Sequence, residues 1–245
     1  TPPPEEPTTD YSGGHAPLGA RRILSTWWPL AASWMLMGLE GPAISAVVSR
    51  LAEPTINLAA YGGVVFPLAL LVEAPIIMML AASTALCRDW PSFVKLRRFM
   101  NRLGLVLTLI HIIMAATPVY DLLARQVIHA PEEIIEPARL GLLIMIPWTW
   151  SVAYRRFHQG ILIRFGHSLK VGVGTVVRLC ADGAMLALGF LWGIPGVAVA
   201  SCALIAGVVT EALYVHLAVR TTLREQLQPA APGPVLTTRA MLDLP

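Results

Sequence analysis

Nine side chains that carry charge or fixed hydrogen-bonding groups stand in stretches that are otherwise apolar: Glu40, Glu73, Arg155, Arg156, His158, Gln159, Arg178, Asp182 and Glu211. Ionisable groups are costly in such surroundings, so each one present is a functional candidate. Glu40 sits in LEGP and Glu73 in VEAP, each two residues before a proline. A proline has no N–H and leaves a carbonyl free one turn back. Each glutamate is therefore expected to offer a carboxylate beside an irregular helix, the arrangement of a proton or cation site. The plainer alternative is a kink whose carboxylate bonds a neighbouring helix. Arg155 and Arg156, close to His158 and Gln159, present planar forks that suit phosphate or carboxylate. They could equally snorkel to headgroups or pair with acids. Arg178 and Asp182 are four residues apart, hence on one helix face, and read as a structural ion pair. Glu211 is expected at the depth of Arg155, as a partner for it. Four acids against three arginines is close to neutral, which favours pairing across a bundle.

The elements that carry these groups follow from composition. Apolar residues make up 56% of the 245-residue chain and charged residues 13%, about half the charged share of a soluble domain. Mean hydropathy is +0.64. The apolar residues fall into blocks long enough for a hydrocarbon core that needs about 20 residues per helix. The reading is an all-α membrane protein with six transmembrane helices, at about 23–48, 57–87, 99–124, 138–163, 168–191 and 194–219. Residues 1–19, rich in Pro, Gly, Thr and acid, are expected to be a disordered tail. Pro29, Pro42, Pro67, Pro75, Pro118 and Pro147 fall inside the spans, where neighbouring helices can satisfy the carbonyls they free.

Loop charge gives an orientation. Arg21, Arg22, Arg88, Lys95, Arg97, Arg98, Arg102, Arg164, Lys170, Arg220, Arg224 and Arg239 lie on one side, against Arg50, Arg125 and Arg139 on the other. A split of twelve to three places both termini in the cytoplasm. The stretch 88–102, RDWPSFVKLRRFMNR, reads either as an amphipathic helix on the inner surface or as a solvated loop. The net charge of +3 comes from this loop bias and not from a nucleic-acid surface.

Other polar residues point to packing. His111, alone among apolar residues, reads as a bond between helices, and Trp148 and Trp150 as packing or lipid contact, with lining a cavity as the alternative. The glycines of VGVGT, 171–175, lack the lysine of a phosphate loop and suit close helix contact. Cys87, Cys180 and Cys202 lack metal-ligand spacing. The six histidines are scattered, so neither a metal, a cofactor nor an intramembrane enzyme is expected.

Residues 231–245, APGPVLTTRAMLDLP, run parallel to 16–30, APLGARRILSTWWPL. On this reading 226–245 is a linker and the opening of a second copy of the unit, as in transporters built from repeats. The chain also begins on Thr1, and is expected to be a piece of a longer protein.

Residues 26–51, TWWPLAASWMLMGLEGPAISAVVSRL, with 154–167, YRRFHQGILIRFGH, and 193–214, GIPGVAVASCALIAGVVTEALY, resemble the progressive ankylosis proteins and their bacterial relatives. Those belong to the multidrug/oligosaccharidyl-lipid/polysaccharide (MOP) exporter superfamily, which includes the MATE transporters. The likeness covers roughly 20–225. It implies one six-helix half of a twelve-helix secondary transporter in a bacterial plasma membrane, driven by an ion gradient, with a second six-helix bundle as partner. Progressive ankylosis-type relatives are associated with export of pyrophosphate and related anions, which would make the substrate here anionic or phosphate-bearing. The alternative is a non-transporting membrane assembly subunit.

Overall fold

A computed structural model describes residues 20–228. The tail expected over 1–19 and nearly all of the 226–245 segment lie outside the described residues. Among those described there is no strand, and ten α-helices make six crossings. The first is α1 (Ala20–Met37) with α2 (Glu40–Val48). The second is α3 (Pro54–Ala60) with α4 (Phe66–Leu86), and the third is α5 (Trp90–Ala116), followed by the short α6 (Val119–Leu122). The fourth is α7 (Glu132–Ile144) with α8 (Ile146–Arg164), the fifth α9 (Ser168–Leu191) and the sixth α10 (Gly196–Thr222). The fold is an all-α membrane bundle.

Prolines decide where the crossings break. Pro42 cannot bond the Gly38 carbonyl, and α1 and α2 separate at Gly38 and Leu39. Pro67 likewise cannot bond Gly63, and the wide π-turn Tyr61–Val65 absorbs the mismatch. Pro147 cannot bond the Leu143 carbonyl, and the fourth crossing breaks at Met145. Connections at the ends are short. At Gly166 (φ 78°) and Gly193 (φ 60°) the chain turns through the left-handed region, which glycine enters without a Cβ clash. The amides of His167 and Ile194 then close the preceding helices on Leu162 and Gly189.

The stretch 88–102 forms neither a surface helix nor a loop. The Asp89 side chain accepts the Ser92 N–H at 2.8 Å, and the Ser92 hydroxyl oxygen accepts the Asp89 N–H at 3.1 Å. This reciprocal cap starts α5 at Trp90, so the basic stretch is the first part of one long helix that continues into the membrane. The third crossing accordingly ends at Ala116, earlier than the expected 124.

Five helical stretches among the described residues are long and apolar enough to cross a bilayer: Leu30–Val48, Pro54–Leu86, Trp90–Ala116, Ser168–Leu191 and Gly196–Leu227. The fourth crossing is missing from that set because it carries Glu132, Glu133, Glu136, Arg139, Arg155, Arg156 and Arg164. It is instead the central post of the bundle, with most of α8 buried. Polarity is inverted relative to a soluble protein. Leu105, Leu109, Ile113, Leu213 and Leu217 face outward, whereas Glu211, Arg155, Arg178 and Asp182 are buried. Lipid can cover such a surface and water cannot.

Glycines set the closest approaches. A Cβ at Gly160 would overlap the Ser83 hydroxyl and lie 2.5 Å from the Leu80 carbonyl, so α8 rides directly on the α4 backbone. A Cβ at Gly207 would overlap the Asp182 carboxylate, so α10 opens a slot for that acid on α9. His111 Nε2 meets the Leu142 carbonyl at 3.1 Å and must donate to it, leaving Nδ1 to accept from the Thr149 hydroxyl at 3.0 Å. That histidine therefore bridges α5 to both sides of the Met145 break.

Candidate functional site

The charged groups converge on one buried network. Glu211, on α10, has no exposed surface. Its Oε2 accepts from Arg155 Nη1 at 2.7 Å, and its Oε1 from Gln159 Nε2 at 2.8 Å. Arg155 and Gln159 are one turn apart on α8, which aims both at the same carboxylate. Arg178, on α9, lies 3.9 Å from the same Oε2. Its Nη2 donates to both oxygens of Glu40, at 2.6 and 2.7 Å. Glu40 reaches it from the first turn of α2, immediately after the break at Gly38 and Leu39.

The expected Arg178–Asp182 pair is present, within a larger network. The two are 3.8 Å apart, and Arg178 also donates its hydrogen bonds to Glu40, a partner that helix spacing on α9 cannot reveal. Neither oxygen of Asp182 accepts a hydrogen bond among the described residues. In its slot beside Gly207 its charged neighbour is Arg178, at 3.8 Å.

Arg156 and Glu73 complete the set differently. Neither has a hydrogen-bond or ion-pair partner among the described residues. The Arg156 guanidinium lies over the Trp34 ring, 5.7 Å from its centroid, a cation–π distance. Glu73 is 5% exposed. Both line a cavity of about 390 Å³, together with Glu40, Arg155, Arg178 and Trp148. The Trp148 indole N–H is buried and unpartnered, as are the Nε–H groups of Arg155, Arg156 and Arg178. Most of the remaining wall is apolar, from Met37, Phe66, Leu70, Ile77 and Leu204.

Of the expected site residues, Glu40, Glu73, Arg155, Arg156 and Arg178 line this cavity, and Gln159 and Glu211 stand behind Arg155. His158 does not join them. It follows Tyr154 by one turn, donates its Nδ1–H to the Tyr154 carbonyl at 2.8 Å and lines a different cavity. Of the alternatives for Trp148, lining a cavity is the one found. Trp34 was missed altogether, since an aromatic residue among apolar neighbours carries no distinguishing signal. Among the described residues no cluster of His, Cys, Asp and Glu has the arrangement of a metal site.

No family model and no curated protein matches the chain. Two solved structures do. One is an outward-facing multidrug resistance MATE family transporter of the MOP superfamily, with TM-score 0.61 and 16% identity, covering 90% of this chain and 49% of that one. The other is a MATE in the bent conformation, with TM-score 0.60 and 17% identity over the same shares. The chain spans about half the length of the solved transporters it matches. At these identities the likeness shows the fold, which resembles one half of a MATE transporter.

Proposed function

We propose that this bundle is one lobe of a secondary transporter of the MOP type, working by alternating access against a second six-helix bundle. The observation that carries the reading is the central cavity. A half-transporter fold presents about 390 Å³ lined by three arginines, one of which, Arg156, makes no close ion pair among the described residues, although Glu73 and Glu211 act on its charge. The three arginines of the wall support an anionic or phosphate-bearing substrate, the class that the progressive ankylosis-type resemblance of residues 26–51 also implies. Glu73, the cavity-lining acid without an ion pair, is the residue proposed to carry the coupling proton or cation. Glu40, held by Arg178, is proposed as the member of the network that exchanges partners when the lobes rock.

The chain is placed in a bacterial plasma membrane with both termini in the cytoplasm. Two features outside the central network support that orientation. The proposed inner end carries Arg88, Lys95, Arg97, Arg98, Arg102, Arg220 and Arg224. On the other side Arg139 is paired with Asp121 at 2.6 Å and Arg125 with Glu132, so the few outer arginines are largely neutralised.

The experiment is flux in proteoliposomes of the full-length protein, with orthophosphate and pyrophosphate as probes under an imposed proton or sodium gradient. Glu73→Gln is expected to abolish coupling to the gradient, and Arg156→Gln to weaken substrate uptake. Gradient-driven flux unaffected by both Glu40→Gln and Glu73→Gln would remove those carboxylates from the mechanism.

A further inference from the structure

A second polar cavity, of about 270 Å³, lies between α5, α8 and α10 near the proposed inner end. It shares no lining residue with the central cavity. Its walls include Arg97 and Asn101 from α5, Tyr154 and His158 from α8, and His216 and Arg220 from α10. No acid lines it, and neither Arg97 nor Arg220 has an ion-pair partner among the described residues.

The hydrogen-bond order of this wall follows from one donor. Arg220 Nη2 lies 2.8 Å from His216 Nε2, and a guanidinium only donates. His216 Nε2 is therefore the bare nitrogen, and its Nδ1 carries the hydrogen. That Nδ1–H points at the Tyr154 hydroxyl oxygen, so the tyrosine accepts there and its own O–H remains unclaimed. Arg97 is steadied by the Phe93 ring, 5.3 Å from its centroid. The cavity thus combines two guanidinium groups, a phenolic donor held in place by His216 and an amide, with no carboxylate to compete.

We infer that this cavity binds the phosphate group of an anionic ligand, independently of the central site. The depth fits that chemistry. Arg97 stands seven residues into α5, about 10 Å along the axis, and Arg220 is in the last turn of α10. Both lie where basic pockets between membrane helices meet phospholipid headgroups. The phosphate comes either from such a headgroup or from a free ester or orthophosphate in the cytoplasm.

The test measures thermal unfolding of the purified full chain in maltoside micelles, which contain no phosphate. One arm titrates inorganic phosphate against sodium chloride at equal ionic strength, and the other titrates phosphatidylglycerol. Saturable stabilisation by inorganic phosphate assigns a free anion, and stabilisation by the lipid alone assigns a headgroup. In either case Arg97→Gln/Arg220→Gln is expected to weaken the half-saturation point by roughly tenfold. Arg98→Gln/Arg224→Gln, which removes the same charge from exposed positions outside the cavity, leaves it unchanged. Equal weakening by the two doubles, or no saturable response to either probe, overturns the inference. The readout is binding, so it does not depend on whether the chain transports.

Discussion

Replacing Glu211 by leucine removes the acceptor shared by Arg155 and Gln159. The Arg155 side chain is 3% exposed, so it is left as a charge in a medium that cannot solvate it. Removing one member of a buried pair costs about 3–5 kcal/mol. The reverse change, Arg155→Met, is milder. Glu211 keeps Gln159 at 2.8 Å, and Arg178, already 3.9 Å away, can close on it. A loss of about 1–3 kcal/mol is expected there, the scale of one imperfectly replaced hydrogen bond to a charge. In Glu211→Leu/Arg155→Met the orphaned charge is gone and the space is filled by apolar atoms. The double variant should therefore be more stable than Glu211→Leu alone, with a coupling energy of about 2 kcal/mol or more. Reversible unfolding in mixed micelles of rising dodecyl sulfate fraction measures all corners of the cycle. If the single costs simply add, or if Glu211→Leu is as stable as the native chain, the buried network does not hold these helices together.

Three further outcomes are expected. Gly160→Ala should destabilise by about 1–3 kcal/mol through overpacking, because the Leu80 carbonyl lies 2.5 Å from the new Cβ; Gly183→Ala, which meets nothing within 4 Å, should be close to neutral in the same thermal-unfolding assay. His111→Ala should cost about 1–3 kcal/mol by leaving the Leu142 carbonyl and the Thr149 hydroxyl unpaired, and faster amide hydrogen exchange around Met145 would locate the loss at the break. In a background with all three cysteines replaced by alanine, Glu133→Cys should react with a membrane-impermeant maleimide on intact cells while Arg224→Cys should not; the opposite pattern would invert the proposed orientation.

Much of this protein is legible without coordinates. Apolar blocks of bilayer length can be satisfied only by structures that bond their own backbone, which makes a helical bundle the reading of composition alone. The prolines mark the breaks before Pro42 and Pro147, because a missing N–H is a local fact. The buried charges identify themselves by their cost. What pairs with what is not legible. Helix periodicity links Arg178 to Asp182, yet the carboxylate that binds Arg178 belongs to Glu40, more than a hundred residues away and on a helix whose rotation is set by packing. The same limit hid Trp34 and turned His158 away from Arg155. Neighbouring positions on α8 face different cavities, and only the surrounding helices decide which side is the protein's interior. Sequence determined which groups the membrane had to accommodate; the tertiary structure decided which of them paired closely with each other and which, like Arg156 and Glu73, formed no close ion pair among the described residues. Chain connectivity is local, whereas the partner of a buried charge is chosen by contacts between distant segments.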